Sequence, residues 1–167
     1  MSSLQFLNFV SEQLPKETVE QSIMSTMANL SAMISAYIPT DKVKECKAQM
    51  FPILMKMLTQ DIPQSVKDAV VDQLWSFLAE KETVEQALKW LDHGHIQNNG
   101  NDIFELKSNH KRMILKCLHK SSHVSNEVQA EMLEKVLKDD KSDLAKGCRL
   151  ACEAASSKPE DKQKIWE

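Results

Sequence analysis

Apolar residues recur along this chain at alternating steps of three and four, and that spacing admits one kind of secondary structure. From Pro15 to Tyr37 the positions Val19, Ile23, Met27, Leu30, Ile34 and Tyr37 hold the pattern without a break, which makes them one stripe of an amphipathic helix turning every ~3.6 residues. Pro15 suits a first helical turn, where a missing N–H is no loss. Pro39-Thr40 interrupts, and Thr40 is a suitable N-cap for a second stripe of Val43, Cys46, Met50, Leu54, Met57 and Leu58, with Pro52 expected to kink or divide it.

The same grammar continues downstream. After Asp61-Ile62-Pro63 comes a stripe of Val66, Ala69, Val70, Leu74, Phe77 and Leu78. Thr83-Val84-Glu85-Gln86 reads as a capping box for a helix holding Leu88 and Leu91, which Gly94 stops. His95 to Asp102, containing Asn98-Asn99-Gly100, reads as a loop. Ser108 opens a segment with Ile114, Leu115, Cys117 and Leu118 that breaks at Ser121-Ser122. Ser125 caps a helix with Val128, Met132, Leu133, Val136 and Leu137, and Ser142 caps one with Leu144, Cys148, Ala151, Cys152 and Ala155. A last helix is expected to start near Pro159 and run to Trp166.

With 3 Gly and 5 Pro in 167 residues and 5% aromatic side chains, nothing in the composition favours strands. The expected fold is all-α: about eight or nine helices in an array of antiparallel hairpins, HEAT-like and right-handed superhelical, with 1–167 as a single domain. Its pairs keep no fixed period, so the array is degenerate.

The formal charge of −3, with scattered cations, builds no one-signed basic face and argues against nucleic acid. Leu4, Phe6, Leu7, Phe9 and Val10 are apolar, but no cation precedes them and Glu12 interrupts. They do not form a signal peptide. No run reaches the ~20 apolar residues of a membrane span. A cytoplasmic protein is expected. Asn29-Leu30-Ser31 fits a glycosylation acceptor but sits in a helical pattern.

Candidate chemistry is thin. His93-Gly94-His95 beside Asp92 would begin a metal site but has no third ligand at useful spacing. His119 and His123 are four apart as in a helical zinc pair, yet Lys120 stands where a general base belongs, and His110 is alone. Cys46, Cys117, Cys148 and Cys152 fit no disulfide or zinc framework and read as core thiols; Cys148 and Cys152, one turn apart, would be placed to share a ligand. Met24, Met27, Met33, Met50, Met55, Met57, Met113 and Met132 lie mostly on or beside the stripes as core filling, with a promiscuous Met-rich groove as the sharper alternative. Lys138-Asp139-Asp140-Lys141-Ser142-Asp143 reads as a solvated turn ahead of an N-cap, with a docking surface as the sharper alternative. No catalytic, cofactor or metal residue is assigned.

In order along the chain, Trp90-Leu91-Asp92-His93-Gly94, Phe104-Glu105-Leu106, Lys138-Asp139-Asp140-Lys141-Ser142-Asp143 and Cys148 to Trp166, with Lys162 four before Trp166, resemble the C-terminal helical region of the aminopeptidase N family of zinc metallopeptidases. Leu14-Pro15-Lys16-Glu17 resembles the part that precedes it. Ser157 stands where many members have Pro, with Pro159 two residues later.

The resemblance implies a piece of a longer chain, with zinc held in a separate catalytic domain whose His-Glu-x-x-His and Gly-x-Met-Glu-Asn motifs are missing here. It implies a wall or lid of the peptide chamber that packs on that catalytic domain, meets peptide substrates indirectly and in some members supports a homo-oligomer. The other reading is a free-standing helical adaptor for a protein or peptide partner.

Overall fold

The computed structural model describes residues 2–155, and Ser31 by its backbone alone. The expected helix from Pro159, with Lys162 and Trp166, and the Ser157 departure lie outside the described residues. Among the described residues the protein is all-α apart from one two-stranded hairpin. It gathers into two compact units: residues 2–80 with 97–104, and residues 81–96 with 105–155.

The first unit opens with α1 (Ser3–Gln13). Its start is fixed by a reciprocal cap: the Gln5 amide donates to Ser2 Oγ (3.3 Å) and the Ser2 amide to Gln5 Oε1 (2.8 Å). The segment that carries no signal peptide pattern is therefore a surface-capped helix that buries Leu7 and Val10. A 3₁₀ turn, Leu14–Lys16, takes Pro15, and α2 begins only at Glu20 (Glu20–Tyr37). Pro15 thus opens the short turn instead of α2.

Helix α3 (Thr40–Leu58) runs unbroken through Pro52, and Pro39 occupies the N-cap position expected of Thr40. Pro52 sits on the exposed side of the helix, as does Ala48, whose carbonyl loses its helical donor to the proline. Helix α4 (Gln64–Leu74) follows, extended by a 3₁₀ turn at Trp75–Phe77.

Helix α2 lies mainly on α4, α3 also packs on α4, and α1 lies on α3. Leu7, Met50, Leu54, Val66, Val70 and Leu74 are wholly buried among them. Each such side chain contributes roughly 1.5–3 kcal/mol relative to exposure. The α2 stripe enters this core through Ile23, Met27, Leu30 and Ile34, while its two end residues, Val19 and Tyr37, remain exposed.

The second unit is built on α6 (Ser108–His119), which packs on α5 (Lys81–His93), α7 (Asn126–Leu137) and most of all α8 (Asp143–Ala155). Helix α5 begins at Lys81, so Thr83 lies inside its first turn and is not the cap that the Thr83–Gln86 spacing suggests. Ser125 and Ser142 do cap: their hydroxyls accept from the amides of Val128 (3.4 Å) and Ala145 (3.2 Å). Buried Gln129 donates from Nε2 to the carbonyls of Leu118 (3.2 Å) and Val124 (3.3 Å), satisfying the end of α6 from a neighbouring helix.

The expected loop at His95 to Asp102 is a β-hairpin, β1 (His95–Asn98) and β2 (Asn101–Glu105), which corrects the strand-free reading. Asn99 (φ 50) and Gly100 (φ 78) form the two-residue link. Two left-handed residues match the right-handed twist of paired strands, and Asn-Gly adopts that conformation at least cost. Ile96 and Phe104 are buried, and the Gln97 side chain donates to Asp102 Oδ1 (2.8 Å). Gly94, at φ 78, ends α5 with its amide on Trp90 O (2.8 Å), and its carbonyl accepts from the Leu106 amide (2.8 Å).

Candidate protein-interaction surface

The histidines do not converge. His93 is exposed at the end of α5, and His95 Nδ1 lies 3.3 Å from the His93 carbonyl oxygen. His110 is buried and accepts the Lys107 amide at Nδ1 (3.2 Å), a structural cap at the start of α6. His119 is the last residue of α6, with Nδ1 on the Leu115 carbonyl (2.8 Å), and burial lowers its pKa against the smaller opposing effect of that bond. His123 lies beyond the helix end and is exposed, so it does not share a helical face with His119. Among the described residues no group of three or more His, Cys, Asp or Glu side chains is gathered as a metal ion would need.

The four cysteines are not joined in disulfides. Cys46, Cys148 and Cys152 are buried, and Cys148 Sγ donates to the Arg112 carbonyl (3.6 Å). The Cys152 thiol is pushed up to about 12, first by burial and then by the charge and hydrogen bond of Cys148. That keeps it a thiol, the poor form for metal or nucleophilic work. Met27, Met50 and Met57 are core residues, Met33, Met55, Met113 and Met132 half-buried, and Met24 exposed. Asn29 is exposed on the middle of α2, with its side-chain amide on the Ser25 carbonyl (2.8 Å) and Leu30 buried beside it.

The charged turn at 138–143 borders a cleft of about 580 Å³ lined by Ser108, Lys111, Arg112, Lys135, Asp139, Asp140 and Ser142 with three apolar side chains. Two of its charges pair with each other and a third with a carboxylate outside the cleft. Arg112 Nη1 reaches Asp140 Oδ2 (3.0 Å), Asp140 also accepts the Ser142 amide (3.0 Å), and Lys135 pairs with Asp92. Asp140 is held below the usual carboxylate range, by Ser142 foremost and then by Arg112. The Lys135 contact does the same for Asp92.

A different face of the protein lacks charge altogether. Charged residues make up 27% of the chain, yet residues 2–11 and 21–40 contain none. These segments hold most of α1 and α2. The two helices run antiparallel: Ser3 Oγ donates to the Tyr37 carbonyl (2.7 Å), and Phe6 meets Ser25, Thr26, Asn29 and Leu30 around a hollow of about 170 Å³.

On the side of α2 away from the buried stripe runs an exposed one, Ser22, Ser25, Asn29, Ala32 and Ala36, again at steps of three and four. From α1, Phe6 (38% exposed) lines the hollow against α2, and Phe9 (55%), three residues on, lies on the same side of α1. The result is an aromatic ridge beside a shallow, small-residue groove. Loss of charge with gain of aromatic side chains is the composition of an interface core, not of a solvated surface.

No family model, curated protein or solved structure matches this chain. The motifs that carry the aminopeptidase resemblance have structural work of their own where they are described. Trp90 and Leu91 are buried on α5, Phe104 and Leu106 are buried at the end of the hairpin, and Ser142 caps α8. The α1–α2 face went unread in the sequence because attention to buried stripes passes over small polar residues. Its signal is the charge-free run from 21 to 40.

Proposed function

We propose that this chain is a non-catalytic helical scaffold that acts by contact, presenting the charge-free α1–α2 face to a protein partner. The observation that carries the reading is the pairing of exposed Phe6 and Phe9 with the exposed small-residue stripe of α2, in a region without a charged side chain. A solvated helix face gains nothing from such a composition. A face that is covered avoids the desolvation of charge that opposes association.

The ordered resemblance from Trp90 onward supports a more specific setting: a C-terminal domain of a zinc aminopeptidase, forming a wall or lid of the peptide chamber. In that setting the chain packs on the catalytic domain, and zinc belongs to that domain. The HEAT-like superhelical arrangement belongs to this proposal as well.

A photoreactive phenylalanine analogue placed at Phe9, or as a control at Leu144 on α8, tests the scaffold reading. Protein adducts form at position 9, disappear when Ala32→Lys is added, and do not form at position 144. Equal adducts at both positions, or adducts indifferent to Ala32→Lys, overturn it. Aminoacyl fluorogenic amides with added zinc give no turnover; chelator-sensitive hydrolysis by the purified chain would refute the non-catalytic assignment.

A further inference from the structure

We infer that the α1–α2 face is self-complementary and that its partner is a second copy of this chain, related by a two-fold axis. The inference rests on the scaffold reading above and names the partner of that same face. A two-fold interface requires one patch to hold both a projection and the recess that receives it, because residue i meets j and j meets i. This patch has both. Phe9 projects from α1, and next to it the hollow bounded by Phe6, Ser25, Asn29 and Leu30 offers room for one large side chain.

Antiparallel apposition of the two α2 helices sets each Phe9 over the partner's hollow. The stripe of Ser25, Ala32 and Ala36 lets the helix backbones approach, and the N-terminus of each α2 lies beside the C-terminus of the other, the favourable order for helix dipoles.

Size and charge agree with this occupant. Helix α2 has 18 residues and is about 27 Å long, α1 with 11 residues is about 16 Å long, and each presents a face about 10 Å across. The two together are on the order of half or more of the ~800 Å² per partner of an ordinary stable interface, the size of a weak, reversible contact. The aromatic rings of Phe6, Phe9 and Tyr37 supply roughly 300 Å² of it at their observed exposures. A partner with charges at its centre would leave them unpaired against a face with none to offer, whereas a second copy brings the same uncharged surface. Association driven this way is nearly indifferent to salt.

Sedimentation equilibrium of the purified chain reads the result. The wild type forms dimers whose dissociation constant changes less than about threefold between ~0.1 and ~1 M salt. Phe9→Glu and, separately, Ala32→Lys weaken dimerisation roughly 30-fold or more. Both positions are exposed, so helical circular dichroism is retained and loss of the fold is distinguishable from loss of the contact. Leu144→Glu, on an exposed side chain of α8, leaves the constant unchanged.

A wild-type chain that stays monomeric to about 100 µM, or a dimer untouched by Phe9→Glu, overturns the inference. The two readings then separate by the adducts at position 9. Adducts to a different protein sink the second copy and keep the scaffold reading, whereas no adducts sink both.

Discussion

Two glycines of the second unit should respond to the same substitution with opposite sign. Gly147 lies on the exposed side of α8, and a Cβ added there meets nothing within 4 Å. Replacing it with Ala removes the helix-propensity deficit of an interior glycine, about 0.8–1 kcal/mol, partly by restricting the unfolded chain. Gly94 ends α5 at φ 78, and there an added Cβ would find Lys111 Nζ at 3.7 Å, an ordinary contact. The cost of Gly94→Ala is therefore one of backbone conformation, roughly 1–2 kcal/mol for an L-residue in the left-handed region.

Both variants gain the same unfolded-state restriction, so the native conformations alone set them about 2 kcal/mol apart. Urea unfolding followed by circular dichroism measures the difference, and amide exchange on α8 and α5 localises it. Gly147→Ala raises the transition temperature by about 4–8 °C for a unit of this size, while Gly94→Ala lowers it by a similar amount. If Gly147→Ala fails to stabilise, the open environment or the helix itself is misassigned. If Gly94→Ala stabilises as well, the left-handed stop of α5 is wrong.

Stability should also fall in mild acid through His119. Burial holds its folded pKa below the ordinary value of 6.5, so the unfolded chain takes up the proton first, and stability complete above about 6.5 is lost as pH drops from there through the folded value. Urea titrations across that window show the slope, and His119→Asn flattens it; an unchanged slope refutes the assignment. Alkylation with iodoacetamide near pH 8 should modify half-buried Cys117 well before Cys152, whose thiol lies at about 12, with Cys152 catching up only in denaturant. Equal rates on peptide mass analysis would show that Cys152 is not sequestered.

What the sequence determined by itself is the helical register. The stripes through Ile23–Met27–Leu30–Ile34 and Met50–Leu54–Met57 are buried as their spacing requires, and Gly94, Ser125 and Ser142 stop or start helices where their local chemistry says. These are short-range properties: a side chain's face follows from its position in the turn, and a cap needs partners within three residues. The hairpin belonged to the same class. Asn99-Gly100 between Ile96 and Phe104 was a readable turn signal, masked by the brevity of the strands.

The tertiary structure decided which of several periodic faces is covered. Leu144 and Leu150 are as apolar as their buried neighbours yet lie exposed, off the face of α8 that packs on α6. On α2 two stripes keep the same spacing, and burial under α4 selects the larger side chains as core while Ser22, Ser25, Asn29, Ala32 and Ala36 remain open beside Phe6 and Phe9. Periodicity tells which residues share a face. Only the packing of one helix on another, which depends on residues far apart in the chain, tells which face meets the core and which is left for a partner.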